Sequence, residues 1–208
     1  MPSIETNLVF LGAALLLAFA PGPDNLFVLM QSASQGRKTG LSVVLGLCTG
    51  LIVHTAAVTF GLAAVFAASA AAFTILKFLG AGYMAYLAWQ AYRAPVGLEM
   101  KQQRTTGSAW RLYVRGIVMN LTNPKVVLFF LAFLPQFVRP ELGSVALQLA
   151  WFGFLFIVAT LIAFSLIAYL AGYIGERLRR SESAQQLLNR AAAFVFAGLA
   201  VRLVTSKR

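Results

Sequence analysis

The chain is expected to be an all-α polytopic membrane protein with six membrane-spanning helices, and three observations predict this. Of its 208 residues, 60% are hydrophobic and 11% are charged, where a soluble domain carries about 25% charged residues. The mean hydropathy is +0.79, and the apolar residues gather into six segments, each reaching the roughly 20 residues that a helix needs to cross a bilayer. The cations concentrate between those segments instead of being spread over a surface.

The first segment, near residues 6–32, contains Pro21-Gly22-Pro23-Asp24 in its interior. Proline has no N–H and its ring clashes with the preceding turn, so this segment is predicted to be two half-helices. Backbone freed in hydrocarbon is tolerated only where protein buries it or a wet cavity meets it. The second and third segments, near 41–66 and 71–93, meet at Ala67-Ala68-Ser69-Ala70 and form a helical hairpin. The fourth, near 113–138, carries Asn120-Leu121-Thr122-Asn123-Pro124-Lys125, a second break. The fifth and sixth, near 145–173 and 185–205, run uninterrupted. Gly46 with Gly50, and Gly36 with Gly40, have the four-residue spacing of small residues that lets helices approach closely.

The net charge is +11. Eleven of the seventeen cations lie in three clusters: Arg37 and Lys38; Arg93, Lys101, Arg104, Arg111 and Arg115; Arg177, Arg179, Arg180 and Arg190. No basic stripe alternates with exposed aromatics, so a nucleic-acid partner is not expected, and the positive-inside rule accounts for the clusters. It places loops 33–40, 94–112 and 174–184 in the cytoplasm and both termini outside. Arg202, Lys207 and Arg208 dissent on the outer side. Ala18-Phe19-Ala20 imitates a signal-peptide cleavage site, but no cation precedes it and the apolar run continues to Met30, so cleavage is not expected. Trp89, Tyr92, Trp110 and Tyr113 flank the central basic loop as an interfacial aromatic belt.

With three spans on each side of the centre, related halves would be inverted. A shift of 103 residues carries Pro21 onto Pro124 and Gly40-Leu41-Ser42-Val43 onto Gly143-Ser144-Val145-Ala146. One transmembrane domain over 1–208, built from inverted three-helix repeats near 1–95 and 110–208 with helices 1 and 4 broken, is the expected architecture, and broken helices in corresponding positions point to a binding site.

The candidate site residues follow from the breaks. Pro23 suits the first turn of a restarting helix, with Asp24 and Asn25 beside it. The N-terminus of that half-helix favours a carboxylate, and the carbonyls near Phe19 and Ala20 favour an ammonium or a proton carrier. Pro21, Gly22, Pro23, Asp24 and Asn25 therefore form one half of a site. Asn120, Asn123, Pro124 and Lys125 form the other. Asp24 either acts on a ligand or caps its helix, and Asp24 with Lys125 either serves function or forms a structural clamp. His54, the only histidine, either relays protons or is a hydrogen-bonded core residue. Lys77 and Arg115, near span ends, read as snorkelling side chains.

One histidine allows neither a catalytic triad nor a two-histidine metal site, and the six carboxylates are scattered along the chain. The single cysteine, Cys48, excludes a disulfide framework and dithiol chemistry. No phosphate-binding glycine loop of the ATPase type occurs. An enzyme is not expected, nor any cofactor or metal, and pumping would draw on an ion gradient.

In these residues the chain resembles the LysE/RhtB family of amino-acid exporters along almost its whole length. The resemblance rests on Ala20-Pro21-Gly22-Pro23-Asp24-Asn25 with Gly36-Arg37 and Gly40, on Gly46-x-x-x-Gly50 with Val53-His54, and on Asn120-Leu121-Thr122-Asn123-Pro124-Lys125 continuing through Leu128-Phe129-Phe130 to Phe133-Leu134-Pro135-Gln136-Phe137. It implies a multi-pass exporter in the bacterial inner membrane, driven by proton or cation antiport, with two inverted three-helix halves. Similar chains often carry Asp or Asn where this one has Leu51, which favours neutral cargo such as homoserine, threonine, leucine or homoserine lactone. An exporter of basic amino acids or of an inorganic cation on the same fold is the alternative. The expected partners are the amino-acid substrate, protons as coupling ion and membrane lipid, and homodimerisation stays open.

Overall fold

Where the first apolar segment meets Pro21, the backbone breaks. The computed structural model describes residues 2–68, 70–94 and 108–205. Ser3 starts α1 (Ile4–Phe19) by accepting the Thr6 N–H. Pro21 and Pro23 then offer no N–H to the carbonyls of Leu17 and Phe19, four residues back, and the helix ends. It restarts as α2 (Pro23–Gln35), with Pro23 at the first helical position, where a missing donor costs nothing. The two halves are bent by 61°. Gly36, with φ of 93°, turns the chain directly into α3 (Arg37–Ala68), and α4 (Ala70–Tyr92) follows.

Ser108 caps α5 (Ala109–Thr122). Asn123 ends that helix and caps α6 (Pro124–Leu128), again with proline at the first helical position. This second break bends by 51°. Beyond it the hydrogen bonding loosens into a π turn at Phe129–Phe133 and a 3₁₀ turn at Leu134–Phe137. Pro135 supplies a local reason, since it withholds a donor from the turn before it. The chain closes with α7 (Val145–Arg180), capped by Ser144, and α8 (Glu182–Thr205). Among the described residues there is no strand. α3, α7 and α8 are each long and apolar enough to cross a membrane, and so is each bent pair taken as one span. The molecule is an all-α polytopic membrane protein.

Two sequence expectations change here. The loops expected at 33–40 and 174–184 are helical, interrupted at Gly36 and Ser181, because hydropathy marks the end of an apolar run and not the end of a helix. The prolines that occupy the same place in their breaks are Pro23 and Pro124, two residues away from the Pro21–Pro124 correspondence. Arg202, within the predicted sixth segment, lies on α8 with its guanidinium 4.5 Å from the Phe137 ring centroid. Lys101 and Arg104 of the central basic loop, Ser69 of the hairpin link, and Lys207 and Arg208 lie outside the described residues.

Packing follows from side-chain size. In lipid, helices associate through close fit and polar contacts, with little hydrophobic drive. α3 packs along α5 and α7, and α4 along α8. At the α3–α5 crossing a Cβ on Gly46 would run into the Tyr113 carbonyl, and one on Gly116 would meet the Val43 carbonyl at 2.5 Å. The aromatic rings of Phe10, Phe129, Phe137, Phe152 and Phe156 interlock between α1, the π and 3₁₀ turns and α7, with centroids 4.5–6.1 Å apart. Such pairs add roughly 0.5–1.5 kcal/mol each beyond area burial, so they hold the loosened segment in place. The belt aromatics behave as expected: Trp89, Tyr92 and Trp110 are exposed, Arg93 lies over Trp89 and Trp110 stacks on Tyr113. Arg115 lies over the Phe27 ring and Lys77 near that of Phe78.

Candidate functional site

Each break frees carbonyls, and the fold supplies side-chain donors to carbonyls at both. Pro21 leaves the Leu17 carbonyl without its helical partner; the Lys125 ammonium reaches it at 3.4 Å and reaches the Ala20 carbonyl at 3.2 Å. Gly22 permits this approach, since a Cβ there would sit 3.2 Å from Lys125 Nζ. Asn25 Nδ2 donates to the Ala18 carbonyl at 2.6 Å. At the second break Pro124 frees the Asn120 carbonyl, which receives the Asn123 N–H and lies 3.3 Å from His54 Nε2. The carbonyls that the sequence offered to a ligand's ammonium are thus partly occupied from within.

Asp24 and Lys125 come together at the second helical position of α2 and α6, yet they form no direct ion pair. Asn123 stands between the halves instead. Its Nδ2 donates to Asp24 Oδ2 at 2.8 Å while its Oδ1 accepts the Lys125 backbone N–H at 3.0 Å. The one residue caps the restarting helix of the second half and holds the carboxylate of the first. Asp24, Asn25, Asn120, Asn123 and Lys125 are all buried, whereas Pro23 and Pro124 are exposed.

Two cavities adjoin the breaks, and Lys125 belongs to the wall of both. The larger, about 610 Å³, is bounded by Pro21, Gly22, Pro23, Asn123, Pro124 and Lys125 on one side and by α4 and α8 on the other, through Tyr83, Leu87, Gln90, Asn189 and Phe196. Its volume falls in the roughly 300–1,000 Å³ range of small-molecule sites. Lys125 is the one Lys, Arg, Asp or Glu among its described lining residues. The smaller, about 20 Å³, lies behind the breaks, against Asp24, Leu51, Asn120, Lys125 and Thr160.

The predicted residues therefore divide. Pro21, Gly22, Pro23, Asn123, Pro124 and Lys125 face the large cavity, and Asp24, Asn120 and Lys125 the small one. Asn25 and His54 line neither: Asn25 braces the end of α1, and His54 holds the Asn120 carbonyl with its ring 5.4 Å from Phe130. Sequence reading missed Tyr83, Gln90, Asn189 and Thr160, because a single polar residue in an apolar helix carries no motif. Among the described residues no group of three His, Cys, Asp or Glu could hold a metal ion.

Over 194 residues the chain is 32% identical to the homoserine/homoserine lactone efflux protein of Salmonella typhimurium strain LT2, covering 93% of each chain. A Vibrio cholerae membrane protein is 30% identical over 98% of both chains. The Bacillus subtilis membrane protein YrhP is 26% identical over 96% of this chain and 98% of its own. No solved structure matches. These likenesses, with the apolar helices, mark a multi-pass protein of the bacterial inner membrane that transports instead of catalysing. The LysE type translocator family profile matches residues 15–207, and the chain belongs to that family.

Proposed function

We propose that this chain exports small neutral amino acids or their close derivatives from the cytoplasm in exchange for protons. The observation that carries the reading is the 610 Å³ cavity whose inner wall is formed by both helix breaks. A zwitterion's carboxylate would meet the start of α2, Asn123 and the remaining N–H of Lys125, which has given its other two to α1. The ammonium end would lie toward the oxygens of Gln90, Asn189 and Tyr83. Lys125 as the lone full charge of the described lining opposes a basic amino acid or an inorganic cation. The efflux activity in the Salmonella relative's name supports homoserine-type cargo.

Asp24 lies behind the large cavity, which favours a proton-carrying role over direct contact with cargo. The cavity extends to Ala94 and Gln185, next to the basic segments that the positive-inside rule places in the cytoplasm, so it would load from within. Two inverted halves fit this reading: Asp24 and Lys125 occupy equivalent places, and the packing of α3 on α5 has its counterpart in that of α7 on α1 and α2.

The test is efflux of L-homoserine and L-threonine from preloaded cells. Expression of the chain is expected to accelerate efflux, and Asp24→Asn and Lys125→Ala are each expected to abolish the gain. Wild-type export rates from both variants, at equal membrane abundance, would overturn the site assignment.

A further inference from the structure

Of the polar lining of the small cavity behind the breaks, the transport reading uses Asp24 and Lys125 but neither Asn120 nor Thr160. Three of its residues carry a buried side-chain oxygen with no hydrogen-bond partner: Asp24 Oδ1, Asn120 Oδ1 and Thr160 Oγ1. All three residues are 3–4% exposed, so bulk water cannot serve these atoms, and each unpaired buried group is costly. They come from three elements, α2, α5 and α7. Apart from Lys125, the rest of the lining, including Leu17, Leu47, Leu51 and Phe156, is apolar.

We propose that this cavity is a binding site for one water molecule that bridges Asp24, Asn120 and Thr160, and that Thr160 positions the carboxylate through it. A volume of about 20 Å³ exceeds the roughly 10–15 Å³ that a single water requires, and a buried water needs two to four polar partners. The donor count closes. Water donates to Asp24 Oδ1 and to Asn120 Oδ1 and accepts a hydrogen bond from the Thr160 hydroxyl, which satisfies the three orphaned atoms of this cavity. A sodium ion fits worse, because the Lys125 ammonium shares the wall. Among the described residues Lys125 is the only other titratable group facing the cavity; those of α1, α3, α5 and α7 contribute none.

The inference rests on Asp24 carrying the coupling proton. Accepting a hydrogen bond favours a carboxylate's ionised form. Without the Thr160 hydroxyl the water is held by two partners in place of three, and Asp24 takes up its proton more readily. The pH midpoint of proton-driven transport then rises.

The experiment uses the full chain in liposomes with radiolabelled L-homoserine, measuring transport driven by a pH gradient and homoserine–homoserine exchange without one. Thr160→Val, which keeps the shape and removes the hydroxyl, is expected to raise the pH midpoint by about one unit, a tenfold change in proton affinity. Exchange is expected to persist in this variant, and Thr160→Ser is expected to restore the midpoint. An unchanged midpoint in Thr160→Val with exchange intact overturns the proposal, as does a variant that exchanges no homoserine while Thr160→Ser behaves identically. Stimulation by sodium over choline that Thr160→Val abolishes would identify the occupant as a cation and likewise overturn it. Gradient-driven transport surviving in Asp24→Asn is a separate failure, that of the proton-carrier reading itself.

Discussion

Asn123 performs two tasks that substitution can separate. Its Oδ1 caps α6 and its Nδ2 supplies the one hydrogen bond that the Asp24 carboxylate receives from the described residues. Serine retains the capping oxygen and is too short to reach Asp24; alanine retains neither. Losing an N-cap costs about 1 kcal/mol, and losing a hydrogen bond to a charged partner costs roughly 1.5–3 kcal/mol. Asn123→Ser should therefore destabilise the protein by about 2 kcal/mol and Asn123→Ala by about 3 kcal/mol. Cys48, the only cysteine and a buried one, makes the assay direct: a thiol-reactive dye in detergent lights up only as the α3 region opens. Unfolding temperatures should fall in the order wild type, Asn123→Ser, Asn123→Ala. In an Asp24→Ala background the step from Asn123 to Ser should nearly vanish, while the step from Ser to Ala should persist. Were the first step unchanged in that background, Asn123 would not act through Asp24, and the cross-break clamp would be wrong.

Three further outcomes are expected. Gly116→Val should lower the unfolding temperature and the membrane yield through overpacking worth about 1–3 kcal/mol, since its Cβ meets the Val43 carbonyl; Gly12→Ala, with nothing within 4 Å of the new Cβ, should not, and equal effects would refute the crossing geometry. Lys125→Met keeps the bulk but strips the Leu17 and Ala20 carbonyls of their donor, so it should lose stability by about 1–3 kcal/mol as well as export, measured by the same dye and efflux assays. Gln148, buried on α7, bonds the Arg139 N–H and carbonyl and the Gly143 carbonyl; Gln148→Leu should release this turn and accelerate cleavage by a glutamate-specific protease after the exposed Glu141, read by gel.

Much of the fold was legible because the bilayer enforces it. A run of about 20 apolar residues must be helical where no water can serve the backbone, and a proline within it must break it. The places of both breaks, and the half-helix starting at Pro23, follow from that rule alone. Helix ends were less legible: charged residues such as Arg37 and Lys38 continue a helix as readily as apolar ones, so hydropathy overestimated the loops. The π and 3₁₀ turns beyond Leu128 were invisible, since Pro135 marks a disturbance without stating its form. The form of the Asp24–Lys125 juxtaposition was not legible. The residues meet at one place, but Asn123 and the α1 carbonyls take the bonds a direct pair would have used.

The sequence by itself determined that this chain crosses a membrane as helices, that two of its spans are broken, and that opposite charges lie at the breaks. Those are local facts, set by the cost of unpaired backbone and buried charge in hydrocarbon. Only the tertiary structure decided which donor satisfies which freed carbonyl, because the partners lie about a hundred residues apart, Lys125 with Leu17 and Asn123 with Asp24. It also decided that Lys125 separates two cavities, placing Asp24 behind the wall and Thr160 beside it. A cavity is the space left between helices, and no one segment of sequence encodes it.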